Sequence, residues 1–296
     1  MEIRSLIPLI VSATLLPACD PSTTVKSYVE APSVSGVPST RPERIVSLDY
    51  CADQYVLKMV DPERILAVSP DADSPFSYMR ETAKELEAKG LKTVRSSAED
   101  VLIIKPDLVV RSYGGGPNAT KFFEKAGIPV LNVGWAGDID GIKRVTREMA
   151  EGLGVPERGE DIVKNMAARL AALDVEGNPK NVLYMTPSGV TSGPGSLVDE
   201  ILKTAGLTNF QTKPGWRSLP LEELAYQQPD IIAAAFFDTN DREKDRWSAM
   251  RHPIAKAQVD TLPTVAISGA VMSCGGWFAL DGIEALASRN YIESDE

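Results

Sequence analysis

Histidine is almost absent from this 296-residue chain: there is one, His252. A site that grips a bare transition metal through several imidazoles cannot be built from it. Cysteine is scarce too, with three residues. Basic side chains are outnumbered, 31 Lys and Arg against 41 Asp and Glu, for a net charge of −10. That argues against a nucleic-acid binder, which needs a basic face to neutralise phosphates. No apolar run reaches the ~20 residues that span a bilayer, which excludes a polytopic membrane protein. Enzyme signatures are missing as well: there is no Gly-x-Ser-x-Gly elbow, no His-Glu-x-x-His and no Gly-x-x-x-x-Gly-Lys loop. Aromatic residues make up only 6%. What is present is a chain of 32.0 kDa with 43% hydrophobic residues, enough for a sizeable core and about two domains.

The first residues read as targeting, not structure. Arg4 precedes an apolar run from Leu6 to Leu16. Leu16-Pro17-Ala18-Cys19 then resembles a bacterial lipobox. The resemblance implies a signal peptide over residues 1–18, cleavage after Ala18 and a lipid on Cys19 that anchors the exported chain to a membrane. An ordinary signal peptide cut nearby is the other reading. Asp20 resembles the signal that keeps lipoproteins on the inner membrane. Residues 19–42, rich in Pro, Ser, Thr and Val, read as an extended tether. The expected location is the periplasm or the outer face of the cytoplasmic membrane. With Cys19 taken by the lipid, Cys51 and Cys274 remain. In an oxidising compartment such a pair is more often a disulfide than two free thiols. Two buried small residues, or two thiols beside a ligand cleft, are the competing readings.

Beyond the tether, short apolar strands alternate with amphipathic stretches. Strands are expected at Arg44 to Leu48, Ile65 to Val68, Asp107 to Val110, Pro129 to Val133 and Asn181 to Met185. Helices are expected at Ala52 to Val60, Tyr78 to Lys89 and Asn118 to Ala126. Such alternation predicts an α/β fold with parallel sheets. There is also an internal repeat. Ala98-Glu99-Asp100-Val101 precedes Asp107-Leu108-Val109 by the same interval that separates Leu221-Glu222-Glu223-Leu224 from Asp230-Ile231-Ile232. Pro106 and Pro229 fall at matching places. Between the copies, Ile162, Val163, Met166, Leu170 and Leu173 recur at helical spacing, and Gly177-Asn178-Pro179 stops the pattern. The expected architecture is two Rossmann-like lobes, 43–156 and 177–292, joined by one long rigid helix at 157–176. The ligand cleft would lie between them, beyond the carboxyl ends of the strands.

These segments carry a family resemblance. Arg44-Ile45-Val46-Ser47-Leu48, Lys105-Pro106-Asp107-Leu108-Val109, Thr191 to Glu200 and Gln228-Pro229-Asp230-Ile231-Ile232 resemble the iron-siderophore and cobalamin class of periplasmic substrate-binding proteins. The resemblance spans roughly Pro42 to Arg289. It implies a monomeric receptor of an ABC importer, with little hinge movement, that delivers a metal chelate or corrinoid to a permease dimer in the inner membrane. It implies no catalysis, and no metal or cofactor of the chain's own. It places Glu99 and Glu222, one per lobe, at the docking contacts with the permease; an acid favouring its own helix dipole is the plainer reading of each. It places Trp216 in the ligand wall, while the other wall tryptophans of the cobalamin-binding member fall near Thr93 and Ser112 and are unmatched.

A large flat ligand needs aromatic faces and a few fixed polar groups. The candidates just past strand ends are Tyr50, Tyr113, Trp135, Trp216, Phe237 and Trp277, with Arg217 beside Trp216, and Arg111, for anionic groups. Gly193-Pro194-Gly195-Ser196 reads as a glycine turn with Ser196 capping a helix, an anion site at that helix N-terminus being the other reading, and His252 reads as structural. An exported two-lobed α/β enzyme and a free Zn or Mn receptor are the alternatives in other classes.

Overall fold

The computed structural model describes residues 34–35, 41–175, 179–236, 248–288 and 291–292, all within one unit spanning 32–296. The signal peptide and Cys19 lie outside the described residues, as does Phe237. The first lobe runs β1 (Val34–Ser35), β2 (Ile45–Ser47), α1 (Tyr50–Met59), β3 (Ile65–Val68), α2 (Arg80–Ala88), β4 (Lys92–Thr93), α3 (Ala98–Ile103), β5 (Leu108–Arg111), α4 (Ala119–Lys125), β6 (Val130–Asn132) and α5 (Ile139–Gly152). Helix α6 (Pro156–Ala171) leads into the second lobe. That lobe runs β7 (Asn181–Met185), β8 (Val190–Ser192), α7 (Leu197–Thr204), β9 (Thr208–Asn209), β10 (Trp216–Ser218), α8 (Leu221–Leu224), β11 (Ile231–Phe236), α9 (Pro253–Thr261), β12 (Thr264–Ser268), α10 (Gly269–Ser273), α11 (Ala279–Ser288) and β13 (Tyr291–Ile292).

The two sheets share one plan. Their orders are β1-β6-β5-β2-β3-β4 and β13-β12-β11-β7-β9. Every pairing in them is parallel except the matching edges, where β1 runs antiparallel to β6 and β13 antiparallel to β12. The repeat seen in sequence has a physical basis. Asp107 enters β5 and its carboxylate accepts the backbone N–H of Arg44 at 2.9 Å. Asp230 enters β11 and accepts the N–H of Asn181 at 2.8 Å. Each aspartate thus clamps the start of the central strand pair of its lobe.

Two expectations are corrected. The sheet begins inside the stretch read as tether, because Val34 and Ser35 pair with Leu131 and Val130. The joining helix starts at Pro156, a residue suited to a first helical turn, and ends at Ala171 instead of running to 176. Leu173 lies past the helix end yet still packs on the core, so the apolar spacing outlasts the helix.

The lobes are fastened to each other. One buried cluster contains Tyr55, Met59 and Met149 from the first lobe with Val198, Ile201, Phe278 and Ile283 from the second. Within it, Tyr55 meets Trp277 edge-on at 5.2 Å, Trp277 meets Phe278 edge-on at 5.2 Å, and Phe278 stacks on Tyr78 at 4.8 Å. The Tyr78 hydroxyl donates to Asp281 at 2.6 Å, and burial together with that acceptor pushes its pKa up to about 12. Arg169 of α6 donates to Asp281 and to both oxygens of Glu284 at 2.6–2.7 Å. A disulfide joins Cys51, in α1, to Cys274, just after α10.

One buried acid gives the fold a pH dependence. Asp53 in α1 is fully buried and accepts from the Ser69 hydroxyl at 2.5 Å and the Ser69 N–H at 3.2 Å. Burial pushes its carboxyl up to about 7, against about 3.9 in an unfolded chain. The native state therefore holds this proton more tightly than the unfolded state. The resulting stability is full below about pH 4 and is lost as pH rises through about 7. Urea unfolding at pH 5 and pH 8 should show the native chain weaker at pH 8 by a few kcal/mol from this group, and Asp53→Asn should remove most of that difference. An unchanged slope in the variant would contradict the assignment.

Candidate ligand cleft

The loops that follow the strands' carboxyl ends in the two lobes face one another. They enclose a cavity of about 370 Å³. Cys51, Ser112 and residues 133–136 line it from the first lobe. Residues 195–198, Ile201, Gly215, Trp216 and residues 271–275 line it from the second. The lining is mainly apolar, and the disulfide sits in its wall.

Asp49 organises the first-lobe side. As N-cap of α1 its carboxylate accepts from Ala52 N–H at 3.0 Å. Its second oxygen accepts from the N–H groups of Ser112, Tyr113 and Gly114 at 2.7–3.0 Å. One carboxylate thus fixes the whole turn after β5. Arg111 holds the same turn from below, donating to the carbonyls of Gly114 and Gly116 and to Thr120 and Asn132. Arg111 is buried and all three of its guanidinium nitrogens donate within the protein, so the expected pairing with a ligand is corrected. Gly114 approaches the chain closely: a Cβ there would lie 2.4 Å from the Leu48 carbonyl oxygen. Gly114→Ala should therefore lower the unfolding free energy by about 1–3 kcal/mol, read by urea titration; a neutral result would show the turn to be yielding.

In the second lobe β8 pairs antiparallel with β10, setting Trp216 opposite Ser192. A Cβ on Gly193 would fall 1.9 Å from the Lys213 carbonyl oxygen, so this crossing requires glycine. Ser196 caps α7, accepting from Asp199 N–H at 3.2 Å and donating to the Gly193 carbonyl at 2.8 Å. That is the role its turn predicted. His252 caps α9, its Nδ1 accepting from Ile254 N–H.

The structure brings some of the expected aromatics together and separates others. Trp135 and Trp216 line the cavity from opposite lobes and are 81% and 57% exposed. Trp216 rests edge-on to Tyr184, 6.2 Å between centroids. The Trp135 carbonyl is held by Arg144, which is braced by Glu148. Tyr113 lines a neighbouring first-lobe pocket of about 780 Å³ with Asp71, Arg95 and Gly114 to Gly116. Tyr50 lies between Tyr113 and Phe76, at 5.9 and 6.0 Å, and burial raises its hydroxyl pKa. Arg217 is exposed on β10, beside the cleft tryptophan. Trp277 is corrected: it is 7% exposed and packs between Tyr55 and Phe278 in the core. Sequence reasoning missed Asp49, although an aspartate immediately before an amphipathic stretch is a helix-cap signal.

Glu99 and Glu222 occupy the first turns of α3 and α8. Both are exposed and neither makes an ion pair among the described residues. Ser97 caps α3 by accepting from Asp100 N–H at 3.2 Å. Among the described residues no cluster of three or more His, Cys, Asp or Glu side chains could hold a metal ion.

The two parallel-sheet lobes thus present their loops to one shared, mainly apolar cleft. A family model described as periplasmic binding protein matches residues 45–248. The chain belongs to that family, a class of solute-binding proteins. No match was found among curated proteins. Among solved structures it is similar to the periplasmic haem-binding protein RhuT of Roseiflexus, at 22% identity over 83% of this chain and 98% of that one, TM-score 0.63. It is similar to the haem-binding protein HutB of Vibrio cholerae, at 18% identity over 83% and 97%, TM-score 0.65. It is also similar to the vitamin B12-binding protein BtuF of Vibrio cholerae, at 18% identity over 84% and 96%, TM-score 0.57. At these identities the likeness is one of fold.

Proposed function

We propose that this chain is the substrate-binding component of an ABC importer, which captures a metal chelate or tetrapyrrole between its lobes and hands it to an inner-membrane permease dimer. The observation that carries the reading is the pair Trp135 and Trp216, exposed on opposite walls of one apolar cavity. Large exposed aromatics rarely stand in a cleft without a partner. A flat, rigid ligand buries both faces against them and loses little freedom on binding. Arg217, beside Trp216, suits an anionic group on such a ligand. The lipid on Cys19 would hold the receptor at the membrane, and Glu99 and Glu222 would dock it on the permease.

The solved haem-binding and vitamin B12-binding proteins with this fold support a tetrapyrrole or corrinoid as readily as an iron chelate. The reading is tested by substitution. Trp135→Ala and Trp216→Ala should each weaken the bound chelate about tenfold or more, the weight of one lost aromatic face. Trp277→Ala should lower stability instead, by about 3–5 kcal/mol. Calorimetric titration and thermal melts separate the two effects. Unchanged affinity in both cleft variants would sink the reading.

A further inference from the structure

The proposed docking glutamates have company. Eight large hydrophobic residues are exposed among the described residues, and Trp135 and Trp216 are accounted for by the cleft. Two of the others occupy equivalent places in the repeat. Ile103 is four residues after Glu99 and three before Pro106. Tyr226 is four residues after Glu222 and three before Pro229. Ile103 is 75% exposed and Tyr226 is 90% exposed. Single surface hydrophobes need no explanation. Here, however, an exposed hydrophobe recurs at one position of a duplicated element.

Each one lies within a turn of its glutamate. Glu99 and Ile103 both belong to α3, so they share a face about 6 Å apart. Past α8 the chain continues as a turn, with Tyr226 and Gln227 N–H both donating to the Glu223 carbonyl, so Tyr226 follows Glu222 within one turn, at the same four-residue interval. Acid accompanies each hydrophobe: Glu99 and Asp100 in one lobe, Glu222 and Glu223 in the other. Of these, Asp100 is answered within the chain, by Arg95 at 3.0 Å. Glu99, Glu222 and Glu223 make no ion pair among the described residues, and of these Glu99 and Glu222 are the exposed ones.

We infer that Ile103 and Tyr226 are the apolar anchors of the permease-docking face. The inference rests on the docking reading above. Each enters a socket on one half of a two-fold acceptor, while the neighbouring glutamate meets a basic side chain at the socket's rim. Interfaces of this kind concentrate their energy in a few aromatic or aliphatic anchors, with charge around them setting register and encounter rate. The partner has a stated chemistry: two equivalent copies, each with an apolar pocket about 6 Å from a cation.

The test uses the full chain in its native host. A photoreactive benzophenone side chain at position 103, and separately at 226, is activated in living cells, and the products are identified by mass spectrometry. Both positions should couple to the same integral membrane permease subunit. With the probe at 226, Ile103→Ser should lower the yield about tenfold; with the probe at 103, Tyr226→Ser should do the same. Phe122→Ser, at another exposed hydrophobe, should leave both yields unchanged. Products with a second copy of this chain, no product at either position, or yields indifferent to the serine variants would overturn the inference. Glu99→Lys with Glu222→Lys tests the underlying reading separately. Loss of product in that variant alone, with full yield in the serine variants, keeps glutamate docking and removes the anchors. Full yield in the lysine variant with loss in the serine variants keeps the anchors and removes the glutamates.

Discussion

Reducing the Cys51–Cys274 bridge is expected to cost about 5 kcal/mol of stability. The two cysteines are 223 residues apart, and a loop of that length loses on the order of 18 cal/mol/K of unfolded-state entropy when closed. For a chain of this size that corresponds to a fall in melting temperature on the order of 10 °C. The bridge joins α1 to the segment after α10, with Cα atoms 5.5 Å apart, so it ties the first lobe to the second at the cavity wall. The remaining ties are the Tyr55–Trp277–Phe278–Tyr78 stack and the Arg169 ion pairs. They should keep the reduced chain folded at room temperature. Thermal melts of the native chain with and without reductant, beside Cys51→Ser with Cys274→Ser, measure the effect. Equal melting temperatures would show that the other ties already carry the inter-lobe constraint.

The second large effect concerns delivery. Glu99→Lys together with Glu222→Lys should lower uptake on the order of 100-fold or more, because each change replaces an attraction across the interface with like-charge repulsion. Ligand affinity should stay within about twofold. Neither residue lines the cavity, and neither is paired within the described chain, so the fold should move by no more than about 0.5 kcal/mol. Uptake in cells and calorimetric binding, measured on the same variant, check both halves. Lost affinity would instead place the glutamates at the ligand. Uptake at the native rate would remove them from docking.

Much of this architecture was legible from the chain alone, for identifiable reasons. Strands buried on both faces read as unbroken apolar runs, and Ile65–Val68 and Asn181–Met185 match the expected spans. The duplicated Glu-to-Pro-to-Asp spacing exposed the repeat because Asp107 and Asp230 perform the same clamp. Helix α5 went unread although Ile139, Ile142, Val145 and Met149 recur at helical spacing. The β8–β10 pair, whose strands are separated in the chain by α7 and β9, was illegible for a different reason. Its strands are three residues long and its crossing depends on Gly193 passing the Lys213 carbonyl, a contact with no local signature. Trp277 reads from the sequence as a residue just past a strand end, whereas it is buried in the core. Burial there is decided by Tyr55, which is more than two hundred residues away.

The central claim is that a rigid chelate or tetrapyrrole binds between the lobes. Its most direct test is a fluorescence-quenching titration of the chain with haemin, with cyanocobalamin and with a ferric siderophore, corrected for absorbance. The account predicts saturable one-to-one quenching below the micromolar range for one of these probes, with the ligand recovered chemically unchanged and the signal lost in Trp135→Ala with Trp216→Ala. Flat titrations with all three, together with stoichiometric uptake of bare zinc or manganese, would contradict it.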